Sequence, residues 1–268
     1  MFKKIYLTGR YEICYNIQKE KEEYMFVIAD LHGSIFALKE FIFYFNSHNE
    51  QNPDDAQDTV FVCGDAGLEY GDHVQGQMKK EMKNTPYTWI IMRGNHDNRY
   101  CQDHQDWSVR DWCGTKVIYS EKYPNILYLS DTSGMFTYNG HECLFIPGGY
   151  SVDKYYRIMR GFPWVENEKL SFGEMNEAIR FSEQHRVDYV FSHVAPLKFE
   201  PNFRDLFLRG IDQSTVEKDM EVGLNQVLHN VVTKNPTAEW YFGHYHDDRS
   251  FKYNDMLATM VYRKFVIV

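Results

Sequence analysis

The chain has no long apolar run. No stretch approaches the ~18–20 apolar residues that span a bilayer, and the N-terminus carries no apolar signal core. These absences predict a soluble, cytoplasmic protein with no membrane partner. An excess of basic charge is also lacking: Lys and Arg number 29 against 38 Asp and Glu, for a net charge of −9. That balance argues against a sequence-independent grip on long DNA or RNA, which needs a basic face. It leaves room for a nucleotide or a small phosphate ester, because bound cations can supply positive charge locally. The cysteines, at 14, 63, 101, 113 and 143, form no Cys-x-x-Cys pair. Their odd count fits free thiols in a reducing compartment, and Cys63 and Cys143 sit inside apolar runs as small core residues. There is no internal repeat and no Pro/Ser-rich linker. One domain over residues 1–268 is expected, with residues 1–24 as an appended hairpin turning at Thr8-Gly9-Arg10.

What is present is a set of short apolar runs. Apolar residues make up 43% of the chain, and a chain of this length can bury roughly 75% of its unfolded surface. Met25–Ala29, Val60–Cys63, Thr88–Met92, Val187–Phe191 and Glu239–Phe242 each read as a buried strand in a covered sheet. Helices are expected over 35–46 behind Ser34, weakly over 76–84, over 172–185 behind the capping box Ser171-x-x-Glu174, and from the capping box Ser214-x-x-Glu217 to about 232. Residues 47–58 and 196–212 read as loops. Strands near 126–129, 134–138 and 142–146, with Asn139-Gly140 between the last two, predict antiparallel pairing there. One or two strands are expected over 256–268. Residues 98–124 show no clear period.

Every one of the five runs ends in a polar tip: Asp30 and His32; Asp65; Asn95 and His96; His193; His244 and His246. Open α/β sheets bind ligands at strand C-termini. A single Gly-Asp or Asp-x-His tip is also what ordinary turn chemistry produces. Five such tips in one chain are not. The other six histidines (His48, His73, His104, His141, His185, His229) stand in polar context and read as surface residues. Carboxylate, amide and imidazole ligands without cysteine suit divalent ions of intermediate softness: Mn first, with Fe, Zn, Co or Ni as alternatives. Seven ligands are too many for one ion with an open position. They suit two ions about 3.5–4 Å apart that share a bridging group and a bridging hydroxide.

The ordered set Asp30-x-His32, Gly64-Asp65, Gly94-Asn95-His96-Asp97, His193 and Gly243-His244-x-His246 resembles the calcineurin-like metallophosphoesterase superfamily over about residues 25–247. The resemblance implies an α/β (α+β) fold, a four-layer αββα sandwich with two mixed sheets. It implies that Asp30, His32 and His246 hold one metal, that Asn95, His193 and His244 hold the other, and that Asp65 bridges them. His96 would stand off the metals and act on the transition state or the leaving oxygen. The implied activity is hydrolysis of a phosphate ester, and a phosphodiester or small nucleotide-like substrate is favoured. Gly64-Asp65-Ala66-Gly67-Leu68-Glu69 departs from the Gly-Asp-x-x-Asp-Arg-Gly of the protein-phosphatase branch, so the phosphate-gripping arginine is absent. A serine/threonine protein phosphatase, a nuclease and a non-catalytic metal-bearing scaffold are the alternative readings. Glu69 or Asp97 is the candidate to orient His96. Arg99, Tyr150, Lys154 and Arg157 are candidate substrate contacts, with Asn95, and Gly148-Gly149 are expected to offer free amides.

Overall fold

The computed structural model describes residues 24–69, 73–162, 164–208 and 216–268. The expected hairpin over 1–24 and the Ser214 end of the second capping box lie outside them. The strands are β1 (Met25–Ile28), β2 (Thr59–Cys63), β3 (Thr88–Met92), β4 (Ser108–Trp112), β5 (Thr115–Tyr119), β6 (Ile126–Tyr128), β7 (Gly134–Tyr138), β8 (His141–Ile146), β9 (Tyr189–Ser192), β10 (Glu239–Phe242), β11 (Arg249–Tyr253), β12 (Met256–Met260) and β13 (Val266–Ile267). The helices are α1 (Ile35–Gln51), α2 (His73–Lys83), α3 (Tyr100–Asp103), α4 (Lys154–Arg160), α5 (Phe172–Gln184) and α6 (Asp219–Lys234).

One sheet runs β13-β1-β2-β3-β6-β5-β4 and the other β11-β12-β10-β9-β8-β7. Both are mixed. β1, β2, β3 and β6 are mutually parallel, as are β8, β9, β10 and β12. Strand pleating sorts the side chains into layers. Val27, Phe61, Ile90 and Leu127, which stand opposite one another in register, point between the sheets and meet Phe145, Phe191 and Tyr241 of the second sheet. Their neighbours Phe26, Val60, Trp89 and Ile126 point the other way, against Leu38, Phe41 and Phe45 of α1 and Met78 and Met82 of α2. On the far side, Val190, Trp240 and Phe242 pack against Met175 and Ala178 of α5 and Leu224, Val227 and Val231 of α6. The layers are therefore helix, sheet, sheet, helix. Phe61 stacks at 4.5 Å on Phe191 and at 5.9 Å on Phe136, joining the sheets.

The starts of α1 and α5 follow their caps. Ser34 accepts from the Ala37 amide at 3.2 Å, and Ser171 and Glu174 form a reciprocal capping box. α1 continues to Gln51, into the stretch expected to be loop, until Pro53 opens a short 3-10 turn. α6 begins at Asp219, after the expected start: Glu217 bonds the Lys169 ammonium and lies ahead of the first turn. β4 and β5 form a hairpin in the region without period, because their faces are mostly half-exposed and their turn is Cys113-Gly114 rather than a recognisable dipeptide. β11 was not expected from the sequence.

Candidate metal centre

Parallel pairing brings the C-terminal ends of β1, β2 and β3 to one edge and those of β9 and β10 to the facing edge. The tips are then tied to each other. The Asp30 amide donates to the Gly64 carbonyl at 3.1 Å, the His32 amide to Asp65 O at 2.8 Å, and Gly243 N to His193 O at 3.1 Å. The bonds from His244 N to Asp30 Oδ2 at 2.9 Å and from His193 Nδ1 to the Cys63 carbonyl at 2.9 Å cross between the sheets. The second makes Nδ1 a donor and aims Nε2 into the site, the nitrogen that would ligate a cation once its proton is displaced.

Asp30, His32, Asp65, His244 and His246 all have positive φ, between 46° and 73°. Non-glycine residues in this region are uncommon, Asp and His less so than most, and each such residue costs about 1–3 kcal/mol. Strain of that kind persists where surrounding structure over-determines it. Two glycines make room for the turns. A Cβ on Gly64 would lie 2.2 Å from His193 Nδ1, and one on Gly94 would lie 2.1 Å from Asp65 Oδ1.

Two donor groups result. In one, His32 Nε2 and His246 Nε2 approach to 2.9 Å, and each lies 3.9 Å from Asp30 Oδ1. In the other, Asn95 Oδ1 lies 2.7 Å from His193 Nε2 and 2.9 Å from His244 Nδ1. Asp65 Oδ2 stands between them, 3.7 Å from His32 Nε2 and 3.5 Å from His193 Nε2. His96 Nε2 is 4.0 Å from the same oxygen, and its ring centroid is 5.4 Å from that of His32. Asp65 Oδ1 accepts from the His96 amide at 2.9 Å, so Oδ2 is the atom turned inward.

The donors fit divalent cations. Asp30 Oδ1 is buried and has no hydrogen-bond partner among the described residues, an arrangement that is costly without a cation. Burial pushes Asp30 upward, with Asp65 adding to the rise and His193 opposing it. Burial acts in the same sense on Asp65, yet His193, His96 and His32 hold it well below the usual carboxylate range. His193 rises to about 9: burial opposes its protonation, and the Asp65 carboxylate prevails. Burial holds His32, His244 and His246 down as neutral imidazoles, the ligating form. Burial also lowers His96, against the pull of Asp65.

Behind Asn95 lies a chain that sequence reasoning missed. Asn95 Nδ2 donates to Ser151 Oγ at 2.8 Å, and Ser151 Oγ donates to Glu168 Oε2 at 2.5 Å. The Ser151 amide and the Trp164 indole also bond Glu168, at 3.0 and 2.9 Å. This turns the amide so that its oxygen faces His193 and His244. Glu168 sits in a polar loop with no motif around it.

Several expected roles are corrected. Glu69 does not reach His96: its carboxylate meets the Lys79 ammonium at 2.5 Å, the Tyr128 hydroxyl at 3.1 Å and His104 at 3.4 Å. Asp97 accepts from the amides of Gly94 and Gly67 at 2.9 and 3.2 Å, bracing the ligand loops instead. Arg99 is buried and forks onto Glu174 at 2.6 and 3.1 Å. Lys154 faces Trp164 at 4.6 Å and Glu217 at 3.7 Å, and the Tyr150 ring is buried between Lys154 and Lys169. The Gly148 and Gly149 amides are bonded to Arg93 O and Glu168 O. Arg157 differs. Its charge acts on both His32 and His96, and Asp153 braces its Nε at 2.7 Å.

Residues 25–248 match the family model for calcineurin-like phosphoesterases. No curated protein matches the chain. Among solved structures it is similar to a dimetal phosphatase from Danio rerio, with 11% identity, TM-score 0.49, and coverage of 91% of this chain and 88% of that one. It is similar to a putative 5'-nucleotidase from Staphylococcus aureus, with 12% identity, TM-score 0.49, and coverage of 91% and 50%. An archaeal phosphodiesterase matches with 12% identity, TM-score 0.36, and coverage of 88% and 82%. Among the described residues no helix is long and apolar enough to cross a membrane. The chain belongs to the calcineurin-like phosphoesterase family, and with it to the metal-dependent hydrolases of phosphate esters.

Proposed function

We propose that the protein hydrolyses a phosphodiester or a small nucleotide-like phosphate ester at a centre of two divalent ions, manganese first among the candidates. Asp30, His32 and His246 hold one ion, Asn95, His193 and His244 the other, and Asp65 serves both. The observation that carries this reading is the position of Asp65 Oδ2, within 3.7 Å of an imidazole nitrogen from each donor group. When bound, the ions supply Lewis acidity and bring water towards hydroxide near neutral pH.

The chain's own groups do the rest. Asp65 and Asp30 contribute buried negative charge that makes the site a cation trap. His96, outside both donor groups in this reading, protonates the oxygen of the departing alcohol as the P–O bond breaks. Arg157 meets the non-bridging phosphate oxygens as a charged donor. The test is a panel of chromogenic monoesters and diesters with manganese-loaded protein. Turnover that disappears in Asp65→Asn supports the reading. Equal turnover in that variant contradicts it.

A further inference from the structure

Beside the metal centre lies a cavity of about 830 Å³ that includes Asp30 and His32 in its lining. It runs between the start of α1 and the loop after β12. The α1 wall offers Phe36, 76% exposed, and Tyr44, 43% exposed. The loop wall offers Tyr262 and Phe265. Tyr262 stacks on the metal-ligand candidate His246, with centroids 4.9 Å apart and planes at 11°. An aromatic surface thus continues straight from the centre into the cavity.

The loop wall is preformed. Asp248, two residues beyond His246, accepts from the amides of Tyr262, Arg263 and Lys264 at 2.9, 3.1 and 3.1 Å. Phe265 anchors the far end against Phe26 and Phe45 at 5.2 and 5.4 Å. This presents Arg263 and Lys264 at the mouth, and neither forms an ion pair among the described residues. Glu40, the acid on the α1 wall, accepts from the Tyr44 hydroxyl at 3.4 Å. Exposed aromatic rings with cations beside them that are in no ion pair among the described residues are a recognition surface for a flat, anionic molecule.

We propose that this cavity binds the organic part of the substrate, and that this part combines a planar aromatic ring with a second anionic group, which Arg263 and Lys264 receive. The proposal rests on the phosphoesterase reading above. The volume suits a nucleotide-sized group, since small-molecule pockets run to roughly 300–1,000 Å³.

The test is calorimetric binding to the manganese-loaded full chain, with three probes: ribose 5-phosphate, adenosine 5'-monophosphate and adenosine 3',5'-bisphosphate. The ring should tighten binding about tenfold over ribose 5-phosphate. The second phosphate should add about tenfold more. The Phe36→Ala, Tyr44→Ala double variant should lose the first preference, and the Arg263→Ala, Lys264→Ala double variant the second. All four side chains are partly or largely exposed, so the fold tolerates the changes. Probe affinities within twofold of one another, or preferences untouched by the variants, overturn the proposal. Turnover of a chromogenic ester is measured in parallel. Turnover with no ring preference refutes only the cavity; preserved preferences without turnover refute only the reaction.

Discussion

Asn95 Nδ2 donates to Ser151 Oγ over 2.8 Å, and the hydroxyl hands that polarity on to Glu168. The amide oxygen is thereby fixed toward His193 and His244. Outer partners of this kind typically change metal affinity by about 10–100-fold. Ser151→Ala should therefore weaken binding of one of two manganese ions by about that factor and leave the other affinity within threefold. Calorimetric titration checks it. Equal weakening of both ions contradicts the assignment.

His96→Ala should lower kcat by about 10²–10⁴-fold while two ions remain bound. Metal analysis of the same preparation separates this from ligand loss. Loss of an ion in the variant would make His96 a ligand instead, in line with the proximity of His32, Asp65 and His96 ligand atoms.

Arg99→Ala should act on stability. Its guanidinium holds the ligand loop after β3 to the first turn of α5, and removal leaves Glu174 without its fork. A loss of about 2–3 kcal/mol is expected by urea unfolding at pH 7. Burial alone would raise Glu174, but Arg99 and Ser171 bring it down to about 2. A depressed carboxylate contributes stability that is full above its unfolded pKa and is lost as pH falls toward 2. The variant should therefore lose less stability on acidification than the wild type does.

Glu221 carries the opposite sign. It is buried in α6, Oε2 has no hydrogen-bond partner among the described residues, and burial pushes it up to about 7. A raised carboxylate favours folding below its unfolded pKa, and that contribution is lost as pH rises through about 7. Glu221→Gln should be near neutral at pH 4.5 and stabilise by about 1–3 kcal/mol at pH 8. Thermal melts at both pH values check it. An equal effect at the two would contradict the titration account.

The sequence carried the strand tips clearly, because Val60–Cys63 or Glu239–Phe242 is too apolar to be anything but covered and too short to be a helix. Parallel pairing then brings distant tips together. Less visible was everything set by tertiary contact. Glu69 looked like a partner for His96 because it follows Asp65 closely, yet the loop carries it to Lys79 and Tyr128. Arg99 follows the Asn-His tip by three residues and turns into the protein to meet a helix cap. Glu168 has no signature, since an outer hydrogen-bond partner can come from any loop that passes. The left-handed backbone of His32 and His246 carries only a weak residue-type signal, since histidine is enriched there but is seldom in that region.

The paired centre is tested most directly by counting manganese ions per chain in wild type and in Asp65→Asn. The account predicts two ions in the wild type and at most one held tightly in the variant. One ion in the wild type, or two in both proteins, would contradict it.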